Sequence, residues 1–304
     1  MTSQTRRSYF YLALCILTWA SIPVTSKKAL AGLDPWQFLF YSTVLSFLAL
    51  GAVMLARGKW RELPRYSIRQ YGIMAGLGAL GCYLYYVLLY AALARTTAAE
   101  GFILAYTWPI LVLLLAVVIL REPLTARKLV AILISFLGII VIVTQGRMVT
   151  VQFTSLSGDL LALGGATAFA LFSVLGKGYN FDQTIAVFVY FAAALMAALA
   201  SAPFFSTLVW PSRQVWPWLI YNGLLVNGIS YIWWFKALEH GETHVISNAL
   251  YLTPFVALVY IWLLLDEPIH ASALVGLLII VAGIGVQSMG ARGGRRAAGQ
   301  VGEG

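Results

Sequence analysis

Apolar residues fall into ten long blocks separated by short polar connections, at roughly 9–31, 36–56, 69–93, 98–120, 126–145, 157–178, 182–204, 214–238, 242–265 and 269–290. A helix needs about twenty apolar residues to cross the hydrocarbon of a bilayer. Each block therefore predicts one transmembrane helix. The expected fold is an all-α polytopic membrane protein with ten transmembrane helices. The connections leave no room for a soluble domain. The glycine-rich, charged stretch over 291–304 predicts a disordered tail.

The pattern also repeats. Residues 103–123 read ILAYTWPILVLLLAVVILREP, and residues 248–268 read NALYLTPFVALVYIWLLLDEP. They align without a gap at an offset of 145, which places Tyr106 on Tyr251, Pro109 on Pro254 and Glu122-Pro123 on Glu267-Pro268. The same offset carries Gly78 to Gly223, Tyr86 to Tyr231 and Gly138 to Gly283. Further upstream an offset of 150 matches Ala20, Val24 and Lys27 with Ala170, Val174 and Lys177. Leucine identities mean little in apolar segments, but matched prolines, tyrosines and EP pairs carry weight. The expected units are 1–147 and 148–290, five spans each. Five is odd, so the second unit enters the membrane from the opposite face. Inverted repeats of this kind mark secondary transporters, with a substrate site at the repeat interface.

Proline inside a membrane helix frees a backbone carbonyl and makes a flexing point. Pro23, Pro109 and Pro254 are the hinge candidates. The matched pair in spans 4 and 9 favours a functional break over the general tolerance of proline in lipid.

Basic residues orient the bundle. With the N-terminus cytoplasmic, fifteen of the twenty lysines and arginines fall on the inside, as the positive-inside rule requires. Both ends are then cytoplasmic, in the inner membrane. Arg6 and Arg7 precede an apolar run too long for an export signal, so that run reads as a retained helix.

Composition narrows the function classes. The chain is 61% hydrophobic and 10% charged, against about 25% charged in soluble domains, so lipid is its surroundings. The net charge of +9 sits between apolar blocks, without a nucleic-acid-binding pattern. Cys15 and Cys82 stand apart and suggest neither a disulfide nor a metal. Gly76 to Gly81 spell GxGxxG, but inside a span, where packing explains them. His240 and His244 flank Glu242 in a turn, without the continuous HExxH helix of a zinc enzyme. No nucleophile–base pair or paired acid is visible in mid-membrane, so neither an enzyme, a cofactor nor an obligate protein partner is expected. Among the acids only Glu100 lies near a span interior, which argues against tight proton coupling.

Mid-span aromatic and amide residues are the candidate substrate lining: Trp19, Tyr83, Tyr86, Tyr106, Trp108, Phe169, Asn227, Tyr231, Trp234, Asn248 and Tyr251. Interface anchoring is the alternative for such aromatics, and it suits Trp36, Trp60, Trp210, Trp216 and Trp218 better. An aromatic cavity with a few amides suits a small molecule with a flat body and a small polar end. Lys27 and Lys177 occupy matched positions at span ends, where snorkelling competes with a gating role.

Ten spans, the five-plus-five repeat and the aromatic-flanked proline before a terminal EP resemble the EamA-type drug/metabolite transporter superfamily. Within it, AYTWPILVLLLA and SYIWWFKALEHGETHVISNALYLTP look similar to the bacterial aromatic amino acid exporters. That resemblance implies an inner-membrane exporter of aromatic amino acids working by alternating access, or a broader drug or metabolite exporter. An intramembrane enzyme is the third reading. One departure stands out: a tryptophan common in span 6 of such proteins is Phe169 here, which removes an indole donor at that place.

Overall fold

The structure is a computed structural model that describes residues 3–121, 123, 125–143, 155–176, 178–240 and 249–300. Glu122, Lys177, His244 and Asn248 lie outside the described residues. The described chain is a helical bundle. Six helical stretches are long and apolar enough to cross a membrane: Arg6–Leu30, Pro35–Ala56, Ile68–Leu93, Ala98–Ile119, Leu156–Gly176 and Gln183–Phe205. Leu129–Ile142, Thr253–Leu265 and Ala271–Gly283 are shorter apolar helices. The chain is a polytopic membrane protein.

Several spans are broken. The first is α1 (Ser3–Ala20) and α2 (Ile22–Leu30), separated at Ser21. After α3 (Pro35–Ala56), the third is α4 (Ile68–Gly78), a π-helical stretch Ala79–Leu84, and α5 (Tyr85–Leu93). The fourth is α6 (Ala98–Ala105), a turn at Tyr106-Thr107, and α7 (Trp108–Ile119). Next come α8 (Ala126–Val143), α9 (Leu156–Gly176) and α10 (Gln183–Phe205). Then α11 (Trp216–Ile220), the π-helical stretch Tyr221–Ile229 and α12 (Ser230–His240) run on continuously. A 3₁₀ turn Leu250–Leu252 leads into α13 (Thr253–Leu265), and α14 (Ala271–Gln300) closes the bundle. Helix α14 continues through 291–300, where the composition predicts a disordered tail. Alanine and arginine favour helix strongly, and extending an existing helix needs no new nucleus.

The breaks share an arrangement. Pro23, Pro109 and Pro254 are each the second residue of the helix that follows a break. In the first turn a missing N–H leaves no intrahelical bond unmade. The prolines therefore each start the second half of a broken span.

Helix α8 illustrates how sequence divides its surface. Leu129, Leu133, Phe136 and Leu137 are exposed along one side, as a lipid-facing surface requires. On the other side Gly138 faces Ile280 and the Gly276 carbonyl of α14, and Ser135 Oγ donates to the Ile280 carbonyl at 3.4 Å. The contact is reciprocal, because Gly283 meets Ser135 and the Ala131 carbonyl. Residues 131, 135 and 138 stand 145 before 276, 280 and 283. The same reciprocity holds near the centre. Gly78 packs on the Tyr190 backbone and Gly223 on Leu45, and again each pair maps onto the other at 145. A Cβ on Gly78 would lie 2.5 Å from the Tyr190 Cα, so only glycine allows that approach.

Candidate functional site

A cavity of about 680 Å³ opens inside the bundle, and twelve of its eighteen lining residues are aromatic. The walls come from α1, α2, α5, the α6–α7 break, α9, α10, α12 and the turn before α13. Among the described residues no charged side chain lines it. Its polar side chains are tyrosine hydroxyls, tryptophan indoles, Ser173 and Gln183. The lining extends to Tyr179, Phe181 and Gln183, so the cavity reaches the end of the bundle where α9 joins α10.

Seven candidate residues line this cavity: Trp19, Tyr86, Tyr106, Trp108, Phe169, Tyr231 and Trp234. Their rings support one another. Trp108 meets Phe169 edge-on at 5.1 Å, and Phe169 lies 4.9 Å from Tyr85. Trp19 lies 6.0 Å from Tyr231 and 5.8 Å from Trp234. Such pairs each contribute roughly 0.5–1.5 kcal/mol beyond burial, so the walls are stiff. Trp19 Nε1 donates to Ser230 Oγ at 2.8 Å, tying the first span to α12. Tyr86 and Tyr231 hydroxyls meet at 3.3 Å. The Tyr106 hydroxyl approaches the Leu250 carbonyl at 3.5 Å, linking the break in the fourth span to the turn before Pro254.

Two candidates stand elsewhere. Asn227 is fully buried behind the wall and donates to the Tyr90 hydroxyl at 3.2 Å. Asn222 donates to the same oxygen at 3.0 Å. Asn227 thus braces the layer under Tyr86, whose ring lies 5.6 Å from Tyr90. Tyr83 packs against the core without reaching the cavity. Both lie in π-helical stretches, where the wider turn rotates side chains away from the face expected at 3.6 residues per turn. Tyr251 lies in the 3₁₀ turn that precedes α13.

Tyr85, Phe172 and Tyr190 line the cavity but escape the spacing argument. Tyr85 is the first α-helical residue after the π stretch. Phe172 is one turn beyond Phe169, a signal the sequence did offer. Tyr190 faces Phe172 at 5.5 Å, nearly perpendicular.

A second, polar cavity adjoins the first at Gln183 and Val187, and it holds Arg57, Lys59, Asp182 and Lys236. Lys59 Nζ pairs with Asp182 at 2.8 Å and Glu62 at 2.9 Å. Partial burial opposes ionisation of Asp182, but the Lys59 contact and the Ile185 and Thr184 amides outweigh it and hold the carboxyl below its usual value.

The far end of the bundle is tied shut. Lys27 Nζ donates to the Thr96 carbonyl at 2.6 Å. The Glu267 carboxylate accepts from the Ala98 and Ala99 amides at 3.0 and 3.1 Å, filling the N-terminus of α6 as a cap does.

The EamA-like transporter family model matches the chain twice, over residues 6–144 and 156–289. The chain belongs to the EamA-like transporter family. An uncharacterised transporter of Archaeoglobus fulgidus is 25% identical, over 91% of this chain and 96% of its own length. The uncharacterised transporter YoaV of Bacillus subtilis is 24% identical, over 88% and 92%. The aromatic amino acid exporter YddG of Ancylobacter novellus is 24% identical, over 80% and 83%. A solved crystal structure superposes with a TM-score of 0.67 at 19% identity, covering 94% of this EamA-like chain and 98% of the other. These likenesses make the cavity the interior of a membrane transporter, with a small molecule as its substrate.

Proposed function

We propose that this protein is an inner-membrane exporter of aromatic amino acids and related apolar metabolites. The carrying observation is the aromatic cavity, twelve of whose eighteen described lining residues carry rings. Its volume falls within the roughly 300–1,000 Å³ of small-molecule sites. Ring faces suit a flat apolar body and attract an ammonium group, and tyrosine hydroxyls suit a carboxylate. The name of the Ancylobacter relative supports the same substrate class.

The proposed architecture is ten spans in two inverted five-helix units, 1–147 and 148–290. Two separate family matches, two π-helical stretches and the reciprocal glycine contacts support it. With both termini cytoplasmic, the α9–α10 junction faces the cytoplasm. The cavity is then open inward and closed outward, the loading state of an exporter. The breaks before Pro109 and Pro254 allow each end to bend while the middle stays packed. Lys27 ties the outer end; Lys177 is its proposed inner counterpart. The adjoining polar cavity, with three cations and Asp182, attracts the carboxylate of an arriving zwitterion.

Purified protein in liposomes loaded with radiolabelled phenylalanine or tryptophan tests this. Efflux that exceeds protein-free liposomes and is slowed by Tyr106→Ala or Trp108→Ala supports the reading. Efflux of unrelated apolar drugs at equal rates favours the broader exporter. The specific observation on that side is that, among the described residues, the lining is uncharged.

A further inference from the structure

Asp159 is a buried acid that the spacing of charges did not reveal. It lies in the first turns of α9 and is 1% exposed, and Glu100 in α6 is 5% exposed. The two carboxyls are close enough for their charges to interact. Both Asp159 oxygens and Glu100 Oε1 are buried without a hydrogen-bond partner among the described residues. The fourth oxygen, Glu100 Oε2, accepts from Thr96 Oγ1 at 2.9 Å. The Thr96 hydroxyl also neighbours Asp159, but it has one proton to give.

The charged groups around the pair are engaged elsewhere. Lys27 binds the Thr96 carbonyl, and Arg95 donates to the Ala91 carbonyl at 2.8 Å. Glu267 accepts from the Ala98 and Ala99 amides. Among the described residues neither carboxyl is in an ion pair. Two unpaired carboxylates in a dry site repel each other and lack solvation. One proton eases both problems, because it removes the repulsion between the two charges and leaves a single charge to be solvated.

We propose that Glu100 and Asp159 form an exchangeable-proton site at the closed end of the bundle. A hard cation takes about six oxygen ligands, more than these two side chains and Thr96 supply. The site also sits on the moving seam. The Cβ position of Gly158 lies 3.0 Å from the Thr96 Cβ, so opening this end separates Thr96 from α9 and wets both acids. Wetted carboxyls exchange protons with the outer solution, and closing again buries one on the pair. Opening of the outer end is thereby linked to the external pH. That consequence rests on the transporter reading; the site itself does not.

Infrared difference spectra of the purified full-length protein, acid buffer against alkaline, test the site without any substrate. A carboxylic-acid carbonyl band is expected, lost in both Glu100→Gln and Asp159→Asn and insensitive to sodium. Thr96→Val keeps both acids and shifts the band. A band that survives in either acid variant, or that sodium abolishes, overturns the proposal. In liposomes, wild-type phenylalanine efflux changes several-fold between acid and alkaline external buffer. In Asp159→Asn the ratio between the two external pH values falls to unity while efflux continues. A ratio that persists in folded variants also overturns it. If wild-type protein moves no aromatic amino acid, the transport reading fails and the infrared band still decides the site.

Discussion

The hydroxyls of Tyr86 and Tyr231 touch at 3.3 Å, and the two residues stand 145 apart in the chain. That is the spacing that maps Pro109 on Pro254 and Gly78 on Gly223. A residue in contact with its own counterpart lies on the axis relating two copies, as an inverted repeat requires. The contact also forms part of the cavity wall, so the proposed axis passes beside the substrate space.

Removing either hydroxyl strands the other in a dry place. Tyr86→Phe and Tyr231→Phe should each cost about 1–2 kcal/mol. The double variant should cost less than their sum. Thermal unfolding in detergent measures the cycle, and strictly additive losses would count against a coupled pair.

Close backbone packing gives a sharper contrast. Gly78→Ala must displace the Tyr190 backbone, and Gly223→Ala must displace Leu45 and the Ser42 carbonyl. Overpacking of this kind costs about 1–3 kcal/mol. Gly76→Ala meets nothing within 4 Å and should be neutral or slightly stabilising through helix propensity. Melting temperatures and the yield of monodisperse protein should separate the two classes.

Cavity rings should govern substrate competition. Trp108→Ala or Phe169→Ala should weaken competition by phenylalanine about tenfold, or about 1.4 kcal/mol. Trp60, half-exposed and outside the cavity, should tolerate alanine without effect. Equal effects at all three positions would disconnect the cavity from transport.

The Lys59–Asp182 pair predicts a pH dependence with a definite sign. Asp182 is held below its usual carboxyl value, so its contribution is present above about pH 3.9, the unfolded value, and is lost as pH falls through the folded one. Lys59 is raised above its usual value, first by Asp182 and then by Glu62, so its contribution disappears only as pH rises through that higher value. Stability of wild type relative to Asp182→Asn should therefore be constant near neutrality and vanish in acid. Both side chains are partly exposed, at 29% and 27%, and salt should reduce the difference.

Orientation has its own measurement. Single cysteines at Arg65 and Ser212, both exposed, should react with impermeant reagent from opposite faces of the membrane. Labelling of both from one face would refute the inverted arrangement.

Six of the helical blocks were readable because lipid demands long apolar runs, and the six long stretches match them to within three residues at each end. The breaks at 106–107 and 250–252 were readable from Pro109 and Pro254, since proline is best placed in a first helical turn. The faces of the third and eighth blocks were not. Nothing in residues 79–84 or 221–229 announces a π-helix, and a spacing rule built on 3.6 residues per turn then misplaces Tyr83 and Asn227 while missing Tyr85. Asp159 was hidden for a different reason. Three residues into a helix, an acid normally meets water, and only packing against Thr96 and α6 shows that this one does not.

The seam between α8 and α14 is self-complementary in position: Gly138 and Gly283 stand at equivalent places, and Ala131 and Ser135 meet Gly283 as Gly276 and Ile280 meet Gly138. Such an isologous contact closes between two separate chains as readily as within one. If the two units are inverted copies, an unfused five-helix unit inserted in both directions would form a homodimer through that seam. Joining two such copies would raise their effective concentration and leave cavity positions free to diverge while Gly138 and Gly283 hold the seam.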